Sequence, residues 1–170
     1  NYGKHISTDW CAYFSYVNGI VDKRYIPESL YYSEITRSLN NYEMAALHHK
    51  NVQDQIFSAK QPKTLVRKID SIYLNDNYEP ISLEESLKIC DKEGKVIIKP
   101  SSGTYGGTGI EFWNRENGFD KLKKLIESIP EFIIQEVVKQ HPFFESIHPN
   151  SLNTLRLVTL LIDNKPVLLS

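Results

Sequence analysis

Apolar side chains recur along this chain with two different periods, and the change falls near Pro62. Before it the spacing is helical. Ile6, Trp10, Tyr13, Phe14 and Val17 share one helical face, and Asn18-Gly19 supplies a stop signal. Pro27 suits the first turn of a second helix, whose face carries Leu30, Tyr31, Ile35 and Leu39. Tyr42 to Leu47 is helix-prone, and Lys50 to Phe57 reads as a short helix through Val52 and Ile56.

After Pro62 strands appear. Thr64 to Ile72 and Ser71 to Leu74 alternate as strands do, with Asn75-Asp76-Asn77 as a turn. Ser82 and Glu85 form a capping box that opens a helix through Leu83, Leu87 and Cys90, ending near Gly94. Lys95 to Lys99 is a strand. Asn117-Gly118 is a turn, and Phe119, Leu122, Leu125, Ile126 and Ile129 mark an amphipathic helix stopped by Pro130. Phe132 to Val138 is apolar enough for a strand buried on both faces. Thr154 to Ile162 and Lys165 to Leu169 read as a hairpin around Asp163-Asn164. The order over 62–138 is therefore β, α, β, loop, β, α, β, an α+β module with helices against one sheet. It follows a mainly helical part, 1–61, and precedes a third part, 139–170.

Composition narrows the function. The 170 residues are 41% hydrophobic and 24% charged, as in an ordinary globular protein. The net charge of −1 provides no general attraction to nucleic acid or to an anionic membrane. No apolar run approaches the ~20 residues of a membrane span, and no signal peptide is visible. Cys11 and Cys90 have no metal spacing and no disulfide framework, so a reducing, cytoplasmic setting is the default. The chain begins at Asn1 and stops on the apolar run Val167-Leu168-Leu169, and the expectation is a piece of a longer protein.

Chemistry concentrates in Val96 to Trp113, VIIKPSSGTYGGTGIEFW. A β-branched strand ends in Lys99 and Pro100. Then follow Ser101, Ser102, Gly103, Thr104, Gly106, Gly107, Thr108 and Gly109, and a second strand through Ile110, Phe112 and Trp113. Glycines let backbone N–H groups approach an anion closely, and a lysine at the root adds a point charge. No Lys-Ser or Lys-Thr follows the glycines, which excludes a P-loop, and strand rather than helix follows, which excludes a Rossmann turn. The stretch is either a flap over phosphates or a plain hairpin.

Three more positions bear on that choice. Lys50 follows His48-His49, where an ordinary solvated lysine is the simpler reading. Gln135, Glu136, Val137 and Val138 end an apolar strand, whose free backbone groups suit a purine edge or merely mark a strand terminus. Arg156 lies within the apolar run Leu155 to Leu161 and calls for a phosphate, a carboxylate or a structural ion pair. The histidines have no metal-ligand spacing, and no metal site is expected from these residues.

Together these segments resemble the ATP-grasp superfamily, and within it the sugar-transfer associated ATP-grasp proteins of capsule and polysaccharide synthesis. The carriers are RYIPESLYYSEI, HHKNVQDQIF, VIIKPSSGTYGGTGIEFW, FIIQEVVKQHP and IHPNSLNTLRLVTLL, spanning about Tyr25 to Ser170. The resemblance implies an N-terminal part, a lid subdomain over 62–138 and the start of a C-terminal grasp subdomain. It implies ATP as ligand and Lys50 and Lys99 on its phosphates, with Ser101 to Gly109 as the flap. The backbone of Glu136 and Val138 would read adenine, beside Gln135 and Val137, and Gln140 or His141 would meet the ribose. Asn153 and Arg156 would lie near the terminal phosphate, with Lys99 and Arg156 carrying the phosphoryl step. The implied reaction is an ATP-dependent carboxylate ligation through an acyl phosphate, onto an unknown small-molecule or sugar-linked acceptor. A non-catalytic nucleotide-binding or interaction module is the alternative. Mg²⁺ would be expected, with its acidic ligands beyond Ser170, because Asp163 is the only acid after Arg156 and sits in a turn.

Overall fold

The computed structural model describes residues 7–40, 47–104 and 106–169. Helix α1 (Asp9–Asn18) starts with an acidic residue that complements the helix dipole and ends on Gly19, whose φ of 68° is the left-handed stop expected there. Next come α2 (Glu28–Leu30), a π-helical turn (Tyr31–Ile35) and α3 (Thr36–Leu39), which run on as the second expected helix. The helix-prone stretch from Tyr42 falls largely on 41–46, outside the described residues. Helix α4 (Gln53–Ile56) is shorter than its pattern suggested.

Six strands then build one antiparallel sheet: β1 (Thr64–Ile69), β2 (Ile72–Leu74), β3 (Pro80–Ile81), β4 (Lys95–Pro100), β5 (Glu111–Asn114) and β6 (Phe132–Glu136). Their order is β3-β2-β1-β6-β4-β5, so β6, last in sequence, sits between β1 and β4. Asp70 and Ser71, at φ 47° and 68°, make the tight β1–β2 turn. Strand β3 has only two residues, too few to leave a periodic signal.

Helices α5 (Leu83–Glu93) and α6 (Phe119–Ser128) bring apolar residues into the core on one face of this sheet. Cys90, Leu122 and Ile126 meet Val66, Val96, Ile98, Trp113, Phe132 and Ile134 there, all buried. Ser82 and Glu85 form the expected capping box of α5. Burial pushes the Cys90 thiol up to about 12. Lys68 is also buried, and its Nζ donates to the carbonyls of Ile126 (3.3 Å) and Ile129 (3.1 Å). A lysine thus caps the last turn of α6, where the free carbonyls and the negative end of the dipole make burial of a cation tolerable.

Two strands differ from expectation. Strand β6 ends at Glu136, because Val96 of β4, opposite Glu136, and Thr64 of β1, opposite Gln135, are the last residues paired with it; Val137 and Val138 lie beyond and are exposed. After α7 (Pro142–Ile147) the final hairpin pairs β7 (Thr159–Ile162) with β8 (Lys165–Leu168), turning at Asp163 and Asn164 as expected. Its register stops near Thr159 opposite Leu168, extended by one bond from the Leu169 N–H to the Val158 carbonyl. Residues 154–157 therefore have no opposing strand among the described residues, and Arg156 lies on irregular, exposed backbone rather than inside a strand.

Candidate functional site

The sheet's second face carries the polar chemistry. Side chains alternate along a strand, so Ile97 and Lys99 leave β4 opposite to Val96 and Ile98, and Ile133 and Gln135 leave β6 opposite to Phe132 and Ile134. Gln135 pairs across from Ile97, which puts it diagonal to Lys99. The Lys99 Nζ donates to Gln135 Oε1 at 2.9 Å. The Gln135 amide nitrogen in turn donates to the Pro62 carbonyl (3.3 Å) and to Thr64 Oγ1 (3.4 Å).

Residues 49–54 lie over this face and are pinned to it. Arg67 is fully buried; its guanidinium donates to the carbonyls of Asn51, Asn75 and Asp76, pairs with Asp54 and stacks 4.0 Å over the Tyr78 ring. Asn51 donates to the Lys68 carbonyl. These ties hold Lys50 against the end of β4. Its N–H donates to the Ser101 carbonyl (2.9 Å), and its Nζ to the Pro100 carbonyl (2.8 Å) and to Thr104 Oγ1 (3.5 Å).

Lys50 and Lys99, 49 positions apart in the chain, thereby meet at the root of the glycine loop. Burial holds the Lys99 ammonium below the usual lysine range, and the charge of Lys50 pushes it further the same way. Among the described residues neither lysine has an ion-pair partner. Their acceptors are a carbonyl, a hydroxyl and an amide, so two cations are held together without a counter-charge. That arrangement is costly unless an anion joins it.

The loop itself springs from a fixed base. Ser101 is fully buried; its N–H donates to the Glu131 carbonyl (3.2 Å), and its hydroxyl to the Glu131 carboxylate (3.4 Å), which also meets His49 Nε2 at 3.3 Å. Beyond it, Ser102, Gly103, Gly106, Gly107 and Thr108 are exposed, with Thr104 half-buried beside Lys50. Gly109 is the position most strictly reserved for glycine. Its φ is +72°, and a Cβ there would stand 3.0 Å from Pro100 Cγ.

The other expected contacts are less concentrated. The Glu136 N–H donates to the Lys63 carbonyl (3.0 Å), and the Glu136 carboxylate accepts from the Lys63 N–H (2.8 Å), so that end of the strand is already engaged. Gln140, His141 and Asn153 serve the loop around α7. Asn153 donates to Gln140 Oε1 (2.8 Å) and to the carbonyls of Phe144 (2.9 Å) and His148 (3.0 Å), while His141 Nδ1 caps the helix by accepting from the Phe143 N–H (3.2 Å). Arg156 makes no hydrogen bond or ion pair among the described residues, so nothing ties it to the two lysines. Sequence reasoning passed over Arg67 and Glu131, because a lone charged residue at a strand or loop carries no pattern, and it weighed His49 only as a metal ligand.

Among the described residues no three of His, Cys, Asp and Glu cluster as metal ligands, and no helix is long and apolar enough to cross a membrane. A hollow of about 720 Å³ lies between α1 and the second helical run, lined by Trp10, Tyr13, Phe14 and Tyr31 and far in character from the lysine site. Comparison with protein-family models, curated proteins and solved structures found nothing that matches this chain.

Proposed function

We propose that this chain is an ATP-binding module of the ATP-grasp type, part of an ATP-dependent carboxylate ligase. The observation that supports it is the paired, uncompensated charge of Lys50 and Lys99 at the root of the glycine loop. A polyphosphate would supply the missing anion. Its terminal oxygens would accept from both ammonium groups, and the loop from Ser101 to Gly109 would fold over it and displace water.

In the proposed reaction a substrate carboxylate oxygen attacks the γ-phosphorus and ADP leaves with the bridging oxygen. The acyl phosphate then loses phosphate to a second nucleophile. This chemistry requires charge stabilisation and in-line positioning more than covalent help from the protein. Lys99 and Lys50 supply the charge. Among the described residues no three of His, Cys, Asp and Glu cluster, and no part of the scheme is assigned to Mg²⁺. The capsule and polysaccharide setting and the sugar-linked acceptor rest on the sequence resemblance alone.

A second reading, a nucleotide-binding module without turnover, is favoured by Arg156, which stands exposed and unattached to the lysines. Titration calorimetry with ATP and ADP tests the shared premise. Millimolar ATP should raise the melting temperature by mass action, and Lys50→Met should weaken binding. No stabilisation by any adenine nucleotide would end both readings. Phosphate release with candidate acceptors then separates ligase from binding module.

A further inference from the structure

We infer that Gln135 is a positioning residue that aims the Lys99 ammonium while leaving its charge uncompensated. The inference rests on the anion-binding reading of the site for its purpose, but its geometry stands independently. Gln135 is only 8% exposed, and every polar atom of its amide is in use. One side, Nε2, is fixed by the carbonyl of Pro62, just before β1, and by the hydroxyl of Thr64, the first residue of β1. That fixes the amide orientation, so Oε1 must face Lys99. A side chain held at both ends in this way is spent on the protein itself, and has no donor left over for a ligand.

The choice of an amide matters chemically. A carboxylate of the same shape at position 135 would also accept from Lys99, but would form an ion pair and cancel half of the positive charge at the loop root. The amide oxygen gives direction without neutralisation. It uses one of the three ammonium hydrogens and leaves two for another acceptor. Lys50 is treated the same way by different groups, the Pro100 carbonyl and the Thr104 hydroxyl. Among the described residues both cations are thus oriented by neutral acceptors only, which conserves the full charge of the pair.

The test compares wild type, Gln135→Glu and Gln135→Met, each checked for native folding by circular dichroism and amide NMR spectra. The first readout is the pH titration of the Lys99 side chain by ¹³C and ¹⁵N NMR, without ligand, assigned with Lys99→Arg. Gln135→Glu should raise the titration point of Lys99, because an adjacent anion favours the ammonium. Gln135→Met should lower it, because the charged form loses its acceptor. These opposite shifts are not expected of a residue that only packs. The second readout is calorimetric binding of inorganic tripolyphosphate, which Gln135→Glu should weaken about tenfold or more as the pair loses charge.

An unchanged Lys99 titration in both variants overturns the inference. If Gln135→Glu fails to fold, the Met variant decides alone, and an unshifted Lys99 there overturns it. If the shifts appear but wild type binds no tripolyphosphate, the Gln135 assignment stands and the anion-binding reading falls.

Discussion

Replacing Lys99 by Met separates binding from stability, and the structure sets both magnitudes. Two opposing effects act on the unliganded protein. The substitution leaves Gln135 Oε1 without its 2.9 Å donor, a loss of about 1 kcal/mol for an ordinary hydrogen bond. It also removes a half-buried cation that feels the charge of Lys50, an effect of the opposite sign. The net change should lie within about 1 kcal/mol, or a shift of at most ~4 °C in Tm for a chain of this size. Ligand binding has no such compensation. One charge-assisted contact to a phosphate contributes about 1.5–3 kcal/mol, and ATP affinity should fall roughly 10- to 100-fold. Calorimetric titration with ATP, beside thermal unfolding of the free protein, measures both quantities. Unaltered affinity in the Met variant would refute the reasoning. So would a loss of affinity matched by an equal loss of stability, since the lysine would then be a structural element.

Arg67→Met should be the most damaging single substitution, costing about 3–5 kcal/mol in urea unfolding, because it takes the cation from Asp54 and a donor from each of three carbonyls and loosens residues 49–54 on the sheet. Gly109→Ala should destabilise more than Gly103→Ala. Both positions have positive φ, about 1–2 kcal/mol for an alanine, but only Gly109 would also press a Cβ on Pro100; equal Tm losses would contradict the contact. Lys99 gives stability a recognisable alkaline dependence. Its folded titration point lies below the ordinary 10.5, so between the two points the unfolded chain holds more protons and stability rises with pH. Affinity for ATP should fall across that same window as the ammonium is lost, and Lys99→Met should flatten both curves.

Much of this protein is decided locally and is legible without coordinates. The Ser82–Glu85 box, the Gly19 stop and the Asp163-Asn164 turn depend on residues within one turn of one another, and each forms as the sequence predicts. The apolar periods of α5 and α6 select the faces that reach the core, and the alternation in β4 puts Lys99 on the other side. What the sequence could not decide is which distant segments meet. Strand β6 enters between β1 and β4, and only that insertion sets Gln135 beside both Lys99 and Thr64. The site's first lysine reaches the loop root because a buried arginine, unremarkable in sequence, nails residues 49–54 to the sheet. Arg156 shows the converse. An apolar neighbourhood in sequence suggested burial, but a strand exists only where a partner strand lies alongside, and at Arg156 none does among the described residues. Local signals fix elements because their partners are a few bonds away; a cluster of charges is fixed by contacts closed over tens of residues, and these belong to the tertiary fold.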